Sequence, residues 1–167
     1  MTPPTALLAT LLVLVAPLAA RADLTWDPAN PPMSADPVAE ALADNQASCE
    51  GQVAEVREGF VQNADVDGDG LNDAILNWGS LRCDGSTSYC GSGGCRQDIW
   101  LARPEGRWQL LLRDRIQEVH VPVPGAVVLL LDPEDCEPAN SRVCFQALDA
   151  WGGTLRPLLP SSEPWQP

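Results

Sequence analysis

The chain has 167 residues, with 23 acidic and 10 basic side chains and a formal net charge of −13. Contacts to a phosphate backbone need clustered positive charge, so this balance excludes nucleic acid as an expected partner. It leaves cation binding and electrostatic steering toward a basic protein as the available interactions.

The first predicted element is the apolar run from Ala6 to Ala16, too short to span a bilayer. Pro17 breaks it, and Ala20-Arg21-Ala22 places small residues at the A-x-A positions, so residues 1–22 read as a secretory signal cleaved after Ala22. No Lys or Arg precedes the run, a departure from the usual signal. Loss of Arg21 leaves nine basic residues (10 − 1) against 23 acidic ones, a formal charge of −14. No Cys lies near the cleavage point to carry a lipid, and no later apolar run is long enough for a membrane helix. The expected location is therefore periplasmic or extracellular, without stable membrane insertion.

Residues 23–33 are Pro-rich and polar and read as an extended or disordered lead-in to a single globular domain over 34–158. Ser34 opens a predicted helix with Pro37 in its first turn and Val38, Ala41 and Leu42 on one face, ending near Cys49–Gly51. Short strands follow. Residues 53–62 read as one, and Ala74–Trp78 as another after an acidic loop. Residues 79–94 are rich in Gly, Ser and Cys and read as a long loop, stapled rather than packed. Asp98–Arg103 and Trp108–Arg115 form a hairpin around Pro104-Glu105-Gly106, and Val119–Val123 and Ala126–Leu131 a second around Pro124-Gly125. Pro122 lacks a ladder donor and marks an edge strand. Val143–Trp151 and Thr154–Leu158 are the last strands, and residues 159–167 a disordered tail. The expected fold is α+β or mainly β: an N-terminal helix packed on an antiparallel meander.

Six cysteines in an exported chain predict three disulfides. Cys136–Cys144 joins two strand-like segments through a short polar loop. Cys90–Cys95 closes a glycine-rich turn, which leaves Cys49–Cys83 to tie the helix to the sheet; these last two pairs can exchange partners. The Cys90–Cys95 spacing is not the C-x-x-C of a redox enzyme.

Chemistry concentrates in Asp65-Val66-Asp67-Gly68-Asp69-Gly70-Leu71-Asn72-Asp73. A hairpin turn needs one Asp-Gly and gains nothing from four clustered carboxylates. An EF-hand fits Asp65, Asp67, Asp69 and Gly70, but its closing Glu is replaced by Leu76 and the following segment is strand-like. The run from Phe60 to Leu76, an aromatic-led strand, a D-x-D-x-D-G-x-x-D loop and a hydrophobic strand, resembles the FG-GAP and VCBS-type repeats, including the calcium hairpins of integrin α-chain propellers. The resemblance implies side-chain ligands from Asp65, Asp67, Asp69 and Asp73, a backbone carbonyl from Leu71, and Ca²⁺ as the ion. It covers residues 59–78 alone. One copy in a short chain excludes a propeller. With the C-G-x-x-G-C run at Cys90–Cys95, the layout is also similar to small exported bacterial proteins that carry a single such loop.

No catalytic constellation accompanies the loop. His120 is the only His and has no second imidazole. No Ser lies in G-x-S-x-G, and Gly91-Ser92-Gly93-Gly94 lacks the Lys and the strand-to-helix setting of a phosphate cradle. Trp78, Trp100, Trp108 and Trp151 fall on predicted strands as core residues, with a sugar- or peptide-stacking platform as the alternative. The expected function is a non-enzymatic calcium-binding structural or interaction domain. The alternative is an acidic binder or inhibitor of a basic protein such as a lysozyme-type hydrolase. Nothing in the chain specifies its oligomeric state.

Overall fold

The computed structural model describes residues 30–50, 52–87, 89–135 and 144–158. The expected signal segment 1–22, most of the expected lead-in, Cys136 and the expected tail 159–167 lie outside the described residues.

Short strand β1 (Met33–Ser34) precedes the helix α1 (Pro37–Ser48). Ser34 pairs with Trp108, so the helix starts three residues later than expected. Asp36 caps it by accepting the Ala39 N–H at 3.0 Å, and Pro37 occupies a first-turn position where no donor is needed. Strands β2 (Ala54–Val56), β3 (Val61–Ala64), β4 (Asp73–Asn77), β5 (Leu81–Cys83), β6 (Cys90–Gly91), β7 (Gly94–Arg103) and β8 (Arg107–Ile116) follow. The last are β9 (Glu118–Val123), β10 (Ala126–Leu131), β11 (Cys144–Asp149) and β12 (Arg156–Pro157).

These strands make three antiparallel sheets. The largest runs β1-β8-β7-β4-β3, with β6 also on β7; the second runs β12-β11-β10-β9; β2 and β5 form a ribbon. This corrects the expected α+β helix-on-meander with three disulfides. Among the described residues the protein is mostly β with one α-helix, and its sheets are not one meander. The reason lies in β4, whose residues 73–76 are all buried: a strand covered on both faces belongs in the middle of a sheet. It pairs with β7, across the stapled segment 79–93, rather than with its successor in the chain. That segment is also more ordered than a long loop, since it contains β5 and β6. Two disulfides are described, Cys49–Cys83 and Cys90–Cys95, not three. Cys144 is not free, and its expected partner Cys136 is outside the described residues.

Two cores result. Ile75, Ile99, Leu101 and Leu112 of the large sheet face Val119, Val127, Leu129 and Leu148 of the second sheet, a β-sandwich packing. On the opposite face of the large sheet, Ala74, Leu76, Trp100 and Leu110 pack with Phe60, Trp78, Leu81 and Ala41 of α1. Each large aliphatic side chain so buried contributes roughly 1.5–3 kcal/mol. Pro122 lies on β9, an edge strand, as its missing donor predicts.

Candidate metal centre

The acidic loop spans the mouth of the β3–β4 hairpin. Ala64 pairs with Asp73, so Asp65 and Asp73 leave and enter the ladder side by side. Between them Val66 is wholly buried and belongs to the core between the two sheets. This apolar anchor pulls the loop inward and carries its flanking carboxylates, Asp65 and Asp67, with it. Gly68 and Gly70 both hold positive φ, +74° and +85°, which lets the chain reverse around them.

One carboxylate oxygen from each of Asp65, Asp67 and Asp73 lies within 4.8 Å of the others. At an effective dielectric of about 20, two unit charges at that separation repel by about 3 kcal/mol. The protein supplies only part of the compensation. Arg103, the last residue of β7, donates from Nη1 to Asp67 Oδ2 at 2.9 Å. Asp73 accepts two backbone amides, Ala102 N–H on Oδ1 at 2.8 Å and Val66 N–H on Oδ2 at 2.7 Å. Asp65 Oδ2 accepts the Gly70 N–H at 3.2 Å. The remaining oxygens, Asp65 Oδ1 and Asp67 Oδ1, are buried and accept no hydrogen bond from the protein. Buried charged oxygens without a donor are costly, so the donor set fits a cation at this point. Burial pushes the Asp73 carboxyl up to about 6; the two amides oppose the shift and the neighbouring Asp67 charge adds to it. This cluster can hold a metal ion.

The structure therefore brings together three of the four expected carboxylates. Asp69 stands apart, exposed, with Oδ1 accepting the Leu71 N–H at 2.8 Å in a local turn. Leu71 is on the exposed side of the same turn. Three contributors escaped sequence reasoning. Arg103 and Ala102 sit at the end of a strand remote in sequence, with no motif around them. Trp151 follows β11 and lies against the loop: a methyl group at Gly68 would overlap Cε3, Cζ3 and Cη2 of its indole.

Two other ionisable groups are engaged away from the loop. Asp98 is wholly buried and is held by the guanidinium forks of Arg96 and Arg113, each through two bonds of 2.8–3.0 Å. His120 is exposed on β9, with Nε2 at 3.3 Å from Glu118 Oε1. The two disulfides suit an oxidising compartment outside the cytoplasm. Among the described residues no helix is long and apolar enough to cross a membrane. No family model matches the chain, and no curated protein or solved structure shows significant similarity to it.

Proposed function

We propose that this protein is an exported, non-enzymatic domain in which one Ca²⁺, held by the Asp65–Asp73 loop, fixes the junction of the two sheets for a structural or interaction role. The observation that carries this reading is the convergence of Asp65, Asp67 and Asp73, two of which keep a buried oxygen, Asp65 Oδ1 and Asp67 Oδ1, that accepts no donor. The available ligands are all hard oxygens on a glycine-containing loop, with no His or Cys in the group. Such a set disfavours Zn²⁺ and copper, and Mg²⁺ ordinarily keeps more water and uses fewer carboxylates. Extracellular calcium modules bind at about 10⁻⁴–10⁻³ M, a range suited to an ion that serves stability outside the cytoplasm. The D-x-D-G-D-G-x-x-D pattern supports the same ion through its resemblance to FG-GAP and VCBS-type loops.

The non-enzymatic reading rests on what surrounds the ion. Asp73 and Asp67 are committed to backbone amides and to Arg103, and a bound cation would keep the cluster ionised and occupied. Thermal unfolding with and without a chelator tests the proposal, together with the metal content of the purified protein. An unchanged midpoint and no bound calcium would remove it.

A further inference from the structure

The indole of Trp151 lies mostly in solvent, at 59% exposure, and is the most exposed tryptophan among the described residues. It is nonetheless held in place. A methyl group at Gly68 would overlap three contiguous atoms of the six-membered ring, and one at Gly125 would overlap Nε1, Cε2 and Cδ1. Near-equal approach to three neighbouring ring atoms places both glycines beneath the ring face rather than beyond its edge. The backbone secures the same seat. Ala150 N–H donates to the Gly125 carbonyl at 2.9 Å, and Trp151 N–H donates to Asp149 Oδ1 at 3.1 Å. The indole thus packs against two glycines, one in the acidic loop and one in the β9–β10 turn, while more than half of its surface meets water.

Around this seat carboxylates outnumber cations, the guanidinium of Arg103 lying against Gly153 and pairing with Asp67. Gly68 is flanked by Asp67 and by the exposed Asp69, and Asp149 stands two residues from Trp151. The mature chain carries a formal charge of −14 (−13 less Arg21). The face of an indole attracts cations, most often a guanidinium, and a preorganised aromatic costs little entropy to bind against.

We propose that Trp151 is the anchor of a docking surface for a basic protein segment. An arginine of the partner lies over the exposed indole surface and pairs with Asp69, and the acidic surface steers the approach. The proposal rests on the calcium reading only for the rigidity of the Gly68 side of the seat. The occupant is a basic protein, since a neutral glycan would use the ring but not the charge.

Tri-arginine peptide, titrated at low salt with calorimetric heat as the readout, tests it. Calcium binding and the unfolding midpoint are measured on the same samples. Trp151→Ala leaves the charge unchanged and removes an exposed side chain. It is expected to weaken tri-arginine binding about three- to tenfold, with Trp151→Phe restoring part of the loss. Equal binding by Trp151→Ala and the wild type would overturn the proposal, because diffuse charge alone would then account for the attraction. Binding of neutral hexose oligomers in place of tri-arginine would overturn it as well. If Trp151-dependent binding appears in protein that takes up no calcium, the calcium reading fails and this one stands.

Discussion

Arg103 Nη1 donates to Asp67 Oδ2 at 2.9 Å across 36 residues of chain, so the last residue of β7 holds down the centre of the acidic loop. The pair is largely out of water, with side-chain exposures of 18% and 2%. Breaking a buried pair leaves an uncompensated charge and costs about 3–5 kcal/mol. Arg103→Gln is therefore expected to destabilise the metal-free protein by about 3 kcal/mol, and by clearly less in saturating calcium, where the ion takes over the compensation. Urea unfolding in chelator and in calcium measures both values. Equal losses would separate Arg103 from the ion.

The seat of Trp151 predicts a coupling. Gly68→Ala adds a methyl where the indole lies and forces a side chain into positive φ, so a loss of about 1–3 kcal/mol is expected. In the double variant with Trp151→Ala the steric part disappears and only the backbone part remains. A double-mutant cycle should then show an interaction energy of at least about 0.5 kcal/mol. Strict additivity would mean that the ring does not press on the loop.

Metal-free stability and calcium affinity should move in opposite directions with pH. The Asp73 carboxyl is raised by burial to about 6 in the folded protein, from 3.8 in its ordinary state. Between those values the folded state holds more protons than the unfolded chain, so the Asp73 contribution to metal-free stability falls as pH climbs through about 4 to 6. Calcium needs the ionised carboxylate, and its affinity should fall as pH drops below about 6. Unfolding midpoints with and without calcium, from about pH 7.5 to about pH 5, should therefore converge toward the acidic end. A calcium shift that grows toward pH 5 would contradict this.

The disulfides should contribute unequally. Cys49–Cys83 closes a sequence separation of 34 and Cys90–Cys95 one of 5. By loop-closure entropy the first is worth about 3–4 kcal/mol and the second about 2. Replacing each pair by alanines and comparing urea midpoints tests the order.

Much of this molecule was legible from local chemistry. The two hairpins, the edge position marked by Pro122, the helix and the Cys90–Cys95 turn follow from turn residues, periodicity and spacing, all of which act over a few residues, whereas Cys49–Cys83 spans 34 residues and follows only as the remaining pair. The sheet order did not follow, because the pairing of β4 with β7 depends on burying both faces of β4, and nothing near β4 names the strand that will cover it. The site divides in the same way. Asp65, Asp67 and Asp73 converge as their spacing suggests, whereas Asp69 turns outward to bond Leu71. Arg103, Ala102 and Trp151 reach the loop only through tertiary structure.

A single calcium ion is proposed between Asp65, Asp67 and Asp73, and calorimetric titration of chelator-stripped protein measures its binding. One site per chain is expected, with a dissociation constant of about 10⁻³ M or tighter. That binding should vanish in Asp65→Ala/Asp67→Ala, which removes the two oxygens without donors. No binding at calcium concentrations well above about 10⁻³ M, or binding unchanged in the double variant, would contradict the account.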